Sequence, residues 1–119
     1  MSKRVLIVED NIVNQEVLSE FLECLDFTSD VADNGRIALE KVEKENYDLI
    51  LMDLQMPEMD GIEATKRIRR KFHKVPIIAI TASMLHSDQC KCSDAGMNGY
   101  LTKPYTFEQV KEIVEKFLK

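Results

Sequence analysis

Along this chain, short β-branched apolar runs alternate with longer amphipathic stretches, five times over and with no linker between them. That alternation is the signature of an α/β fold, because each apolar strand needs a helix to cover it and each helix returns the chain to the next strand. The pattern predicts strands over Arg4–Val8, Thr28–Ala32, Asp48–Met52, Val75–Thr81 and Gly99–Leu101. Helices are expected over Asn14–Leu25, Arg36–Glu45, Ile62–Lys71, Ser87–Ala95 and Phe107–Leu118. The first, third and fourth strands are continuously apolar, as suits central parallel strands covered on both faces. Right-handed crossovers leave few topologies, of which the doubly wound order 2-1-3-4-5 is common at this size. Leu18, Phe21, Leu22 and Leu25 form one core stripe, and Phe107, Val110, Val114 and Phe117 a second. Helix starts are marked by Asn34-Gly35, Asp60-Gly61 and the N-cap Thr106.

At 119 residues the chain is long enough for one core and not two, so residues 1–119 read as a single domain. Hydrophobic residues make up 45% and charged residues 31%, which excludes disorder, and no stretch reaches the roughly 18 apolar residues of a membrane span. Val5-Leu6-Ile7-Val8 is too short for a signal-peptide core, which makes the cytoplasm the expected compartment. A net charge of −5 gives no general attraction to nucleic acid or anionic lipid. The basic run Lys66-Arg67-Ile68-Arg69-Arg70-Lys71-Phe72-His73-Lys74 closes a predicted helix, where cations favour the negative end of the macrodipole. Three cysteines, at 24, 90 and 92, are too few and odd in number for a disulfide framework. His86 and Cys90 share a helical face, but no second cysteine pair completes a zinc set.

In a doubly wound sheet, sites lie at the carboxyl ends of the strands beside the switch point. There the chain places Glu9 and Asp10 after the first strand, Asp53 after the third, Thr81 after the fourth and Lys103 after the fifth. Asp10 alone would read as a helix cap, Thr81 as a strand end and Lys103 as a solvated lysine. Three carboxylates at one site raise one another's pKa unless a cation joins them, and oxygen-only ligands select a hard cation, magnesium before calcium. With the Lys103 ammonium and the Thr81 hydroxyl they form a phosphate cradle, and the reaction class that follows is phosphoryl transfer.

The segments Val8-Glu9-Asp10-Asn11, Asp48 to Gly61, Pro76-Ile77-Ile78-Ala79-Ile80-Thr81-Ala82 and Gly99-Tyr100-Leu101-Thr102-Lys103-Pro104 resemble the receiver domains of two-component signalling. Glu9-Asp10-Asn11 followed by Asn14-Gln15 is most similar to receivers of hybrid histidine kinases. The resemblance implies a flavodoxin-like (βα)5 sandwich with Asp53 as nucleophile and phosphoacceptor. By the same resemblance Asp10, Asp53 and the main-chain carbonyl of Gln55 bind magnesium, with Glu9 acting directly or through water. Thr81 would bond the phosphoryl group, Lys103 would pair with it, and Tyr100 would be the aromatic switch residue, which otherwise reads as core. Gln55 and Ser83 would set the acyl-phosphate lifetime, and the Lys103–Pro104 peptide is expected to be cis. The implied donor is a histidine kinase or histidine phosphotransfer protein, docking over the first helix and Pro104-Tyr105, with Asn14 and Val17 on the exposed edge. The implied output is a switch rather than an enzyme, with only self-catalysed phosphoryl transfer and autodephosphorylation. A changed face would meet an unidentified downstream protein, the chain being a monomer that can dimerise on phosphorylation. The chain runs from the first strand to the fifth helix, so no output domain is expected within it.

Other classes fit less well. A flavodoxin-type cofactor binder needs a glycine- and hydroxyl-rich loop where Glu9-Asp10 stands, and a haloacid-dehalogenase-type phosphatase wants a second Asp at position 55. A receiver fold used as a constitutive interaction module would not need the acceptor, metal, threonine and lysine positions together.

Overall fold

The computed structural model describes residues 3–56, 59–71, 74–82 and 86–118. Ser83, Phe72, His73 and the side chain of His86 lie outside the described residues. The elements run β1 (Arg4–Val8), α1 (Ile12–Cys24), β2 (Thr28–Ala32), α2 (Gly35–Lys44), β3 (Leu49–Asp53), then α3 (Gly61–Lys71), β4 (Ile77–Thr81), α4 (His86–Ala95), β5 (Gly99–Thr102) and α5 (Phe107–Leu118). All strand pairs are parallel, in the order β2-β1-β3-β4-β5.

Alternation along each central strand divides the interior into two cores. Val5, Ile7, Leu49, Leu51, Ile78 and Ile80 meet Leu18, Leu22, Val110 and Val114 of α1 and α5. Leu6, Val8, Ile50, Met52 and Ile77 meet Ala38, Val42, Ala64 and Ile68 of α2 and α3. Residues 5–8, 49–52 and 77–80 are fully buried, so these strands are apolar throughout because both faces are covered. Phe21 and Phe107 close the α1–α5 seam edge to face, with centroids 5.3 Å apart. Leu25 of the first stripe is only half-buried and caps the end of α1.

Element ends differ from the sequence expectation by one or two residues, each for a local reason. Strand β3 begins at Leu49 and includes Asp53, which pairs with Ile80, while the Asp48 carboxylate leaves the ladder to accept the Arg4 N–H at 2.9 Å. Strand β4 begins at Ile77, since Pro76 has no N–H and the Val75 carbonyl is held by Arg69 at 2.6 Å. Strand β5 extends to Thr102, which pairs with Thr81. Helix α1 starts two residues early because its cap is Asn11, whose side chain accepts from the Asn14 N–H at 3.0 Å, so Asp10 is not the cap. Helices α2 and α3 start on Gly35 and Gly61, behind the caps Asn34 and Asp60. Thr106 and Gln109 form a reciprocal capping box on α5.

Part of the basic run is occupied within the fold. Arg69 donates to the carbonyls of Gly96 and Val75 and to Asn98 Oδ1, pinning the end of α4 and the start of β4. Arg67 pairs with Glu63, and Lys71 with Glu43.

Helices α1 and α4 end in Schellman motifs. In α4 the left-handed position is Gly96, and in α1 it is Asp26 at φ 66°, with Phe27 N–H bonded to Leu22 O and Asp26 N–H to Glu23 O. A left-handed conformation costs a residue with a Cβ where glycine adopts it freely. Asp26→Gly should therefore raise stability by about 0.5–1 kcal/mol, read as a higher urea midpoint at unchanged m-value. An unchanged or lower midpoint would contradict this account of the turn.

Candidate functional site

The ends of β1, β3 and β5 converge beside the switch point, and they bring the acidic residues together. Glu9, Asp10 and Asp53 each offer a carboxylate oxygen, and these atoms all lie within 4.8 Å of one another. Glu9 and Asp53 are buried, 1% and 2% exposed, whereas Asp10 faces solvent. The Lys103 ammonium stands 3.6 Å from Glu9 Oε2 and 3.6 Å from Asp53 Oδ2, bridging the two buried acids.

Backbone donors complete the arrangement. Asp53 Oδ1 accepts the Gln55 N–H at 3.1 Å, and Glu9 Oε1 accepts the Asn11 N–H at 3.2 Å. Glu9 Oε2, by contrast, is buried without a hydrogen-bond partner among the described residues. Burial first, and then the charge of Asp53, push the Glu9 carboxyl up to about 7. A buried acid pair bridged by one lysine at 3.6 Å, with one oxygen lacking a hydrogen bond, fits a divalent cation with oxygen ligands.

Thr81 closes the buried end of β4, and its carbonyl accepts the Lys103 N–H at 2.8 Å, so β4 positions the lysine. The peptide between Lys103 and Pro104 is cis, in line with expectation. Gln55 is exposed, with its N–H on Asp53. Tyr100 is not core: it lies on the edge strand β5 and is 46% exposed, because among the described residues no strand pairs beyond β5.

Three features escape the sequence reading. Lys103 pairs with Glu9 as well as with Asp53. Tyr105 is half-buried beside the site, and burial together with the Glu9 and Asp53 charges pushes its hydroxyl up to about 12. Gln15 Nε2 donates to the Glu9 carbonyl at 2.6 Å and to Asp33 Oδ1 at 2.9 Å. The Asn14-Gln15 pair is visible in the sequence, but one of the glutamine's acceptors, Asp33, sits on a loop remote from it in sequence.

A doubly wound sheet that gathers three carboxylates and a lysine at its switch point defines a receiver-type signalling domain. Residues 5–115 match the response regulator receiver domain family, and the chain belongs to that family. It is 41% identical over 121 residues to the hybrid signal transduction histidine kinase K of Dictyostelium discoideum, covering 94% of this chain and 10% of the kinase. The receiver domain of the sensor histidine kinase PA1611 of Pseudomonas aeruginosa, which carries a magnesium ion in its active-site cleft, superposes with TM-score 0.92 at 38% identity. That match covers 99% of this chain and 98% of the other. The receiver domain of Saccharomyces cerevisiae Ssk1, solved with the histidine phosphotransfer protein Ypd1, gives TM-score 0.89 at 36% identity over 98% of this chain and 88% of the other. The chain is thus a response regulator receiver domain. Among the described residues, no helix is long and apolar enough to cross a membrane.

Proposed function

We propose that Asp53 accepts a phosphoryl group from the phosphohistidine of a histidine kinase or histidine phosphotransfer protein, and that residues 1–119 act as one cytoplasmic switch unit. The observation that carries this reading is the convergence of Glu9, Asp10 and Asp53 within 4.8 Å, with Lys103 at 3.6 Å from two of them. Asp10, Asp53 and the Gln55 carbonyl would hold magnesium, with Glu9 bound directly or through water, and the ion supplies charge neutralisation when bound. A carboxylate oxygen of Asp53 attacks phosphorus, and the N–P bond to the donor imidazole breaks with its electron pair returning to the ring, which takes up a proton. Lys103 and the Thr81 hydroxyl orient the transferred oxygens, so the site supplies alignment and charge rather than covalent chemistry. In autodephosphorylation, water attacks phosphorus and releases phosphate from the restored Asp53 carboxylate, with the identities of Gln55 and Ser83 setting the lifetime.

Incubation with a small phosphodonor and magnesium, followed by mass spectrometry, tests the assignment. Wild type should gain one phosphoryl group and Asp53→Asn none; labelling of the variant to the same extent would overturn it.

A protein donor would dock over α1 and the groove lined by Asn14, Val17, Lys103, Pro104 and Tyr105. Ile12 and Val13, 68% and 65% exposed, extend this apolar rim toward the acids. Placing a charge there desolvates it on docking. Val17→Glu should slow transfer from a phosphohistidine protein about 10-fold or more, the equivalent of about 1.4 kcal/mol, and leave small-donor phosphorylation intact. Equal loss with both donors would refute the docking surface. The output is a phosphorylation-dependent face including Tyr100, presented to a downstream protein by a monomer that can dimerise when phosphorylated.

A further inference from the structure

We propose that Gln15 is a positioning residue for the acidic site, holding the loop that carries Glu9 and Asp10 in its cation-binding geometry. The inference rests on the magnesium reading above and adds to it a residue that touches neither the cation nor the phosphoryl group.

Gln15 lies one turn into α1, and its side-chain amide uses both hydrogens. One goes to the Glu9 carbonyl at 2.6 Å, the other to Asp33 Oδ1 at 2.9 Å. The loop after β1 is thereby tied to the loop after β2. The Glu9 carbonyl belongs to the planar peptide unit that also contains the Asp10 nitrogen, so this bond sets the plane from which Asp10 departs. On the other side of that residue, the Glu9 N–H is bonded to Ala32 O at 3.1 Å and the Asn11 N–H to Glu9 Oε1. Gln15 supplies the tie that these bonds leave out.

The need for such a tie follows from charge. Three carboxylates within 4.8 Å repel one another; Lys103 offsets part of that repulsion, and movement of the backbone that carries them relieves the rest. Asp53 sits on β3, paired with strands on both sides, and cannot retreat. Glu9 and Asp10 sit on a loop, so the loop is what would splay. A glutamine that holds the loop closed keeps two ligands in place before the cation arrives, which raises affinity without any contact to the ion. The side chain must be a donor on both sides, because both of its partners are acceptors.

The test titrates magnesium into the protein and follows backbone amide shifts by NMR, which needs no phosphorylation. Gln15→Leu keeps the shape and removes the donors, and Gln15→Glu sets a carboxylate against the Glu9 carbonyl and Asp33. Each should weaken magnesium binding about 10-fold. Asp33→Ala, at an exposed position, should weaken it in the same direction by less and add nothing in the Gln15→Leu background. In small-donor phosphorylation, half-saturating magnesium should rise in parallel while the rate at saturation stays close to wild type. A purely structural role would lower the urea midpoint and leave magnesium half-saturation unmoved. A folded Gln15→Leu protein with wild-type magnesium affinity overturns the proposal, as does wild-type affinity in Asp33→Ala should the glutamine variants fail to fold. Asp10→Ala separates the two levels: if it binds magnesium normally, the metal reading itself fails, whereas its loss beside an unaffected Gln15→Leu condemns the positioning role alone.

Discussion

Gly61→Ala should destabilise the domain by about 3 kcal/mol and slow phosphorylation of Asp53, because there is no room for a methyl group where α3 meets the end of β3. A Cβ at this position would lie 2.4 Å from the Asp53 carbonyl oxygen, 2.9 Å from Leu54 Cα and 3.0 Å from Met52 Cγ. Two of these atoms are backbone, one at the last residue of β3 and one directly after it. That strand is fixed from both sides, with Leu54 N–H bonded to Ile80 O and Gly61 N–H to Leu54 O. Relief therefore requires α3 to lift from its cap at Asp60 or the end of β3 to shift. The second movement displaces the Asp53 carboxylate from Lys103 and Glu9, and the first breaks the Gly61 N–H bond to Leu54 O. Gly35→Ala makes a useful contrast, since its nearest neighbours are Met59 O at 2.9 Å and Ala64 Cβ at 3.0 Å, and Met59 stands on a loop that can give. The urea midpoints of the two variants, with the phosphorylation rate of each, check the argument. A loss below about 1 kcal/mol in Gly61→Ala would show that the close approach is not maintained in solution.

Periodicity carries the whole architecture because burial on both faces of β1, β3 and β4 leaves no position for a polar residue until the strand ends. The ends themselves are less legible. Asp48 and Asp53 flank the same apolar run, and nothing local says which joins the ladder; pairing of Asp53 with Ile80 decides it. Asp10 and Asn11 are equally good caps by residue type, and Asn11 takes the role while Asp10 stays with the acid cluster. The acids and Lys103 could be assigned to one site from topology alone, since each follows a strand at the same edge. Their pairing could not, because Lys103 chooses between Glu9 and Asp53 by geometry and in fact bridges both. Gln15 is hidden for a related reason. A polar residue on an amphipathic helix reads as solvated, and only the packing of two loops supplies its acceptors. Residue type alone leaves Tyr100 readable either as core or as an exposed aromatic, and the edge position of β5 decides for exposure.

Lys103→Ala should uncouple phosphorylation from its structural consequence. The ammonium lies 3.6 Å from Asp53 Oδ2, so it pairs with the carboxylate before transfer and, if Asp53 is the proposed acceptor, would meet the phosphoryl oxygens afterwards. Only the difference between those two contacts can shift a conformational equilibrium. Its removal leaves Glu9 Oε2 buried with neither hydrogen bond nor ion pair, and the Glu9 carboxyl answers by favouring its neutral form, which limits the damage to the fold. Asp53 and Asp10 remain to bind the cation, and the Thr81 hydroxyl remains to orient the incoming group, so phosphoryl transfer should continue at a reduced rate. What disappears is the mechanical link. Lys103 follows directly on β5, its N–H is bonded to Thr81 O, and Tyr100 stands within the same strand. Without the ammonium, nothing on that strand senses the phosphoryl group through charge. Backbone amide shift changes on phosphorylation, followed across residues 87–118, should be large in wild type and mostly lost in the variant. A Lys103→Ala protein that is phosphorylated on Asp53 and still shows the wild-type shift pattern would place the coupling elsewhere, at Thr81.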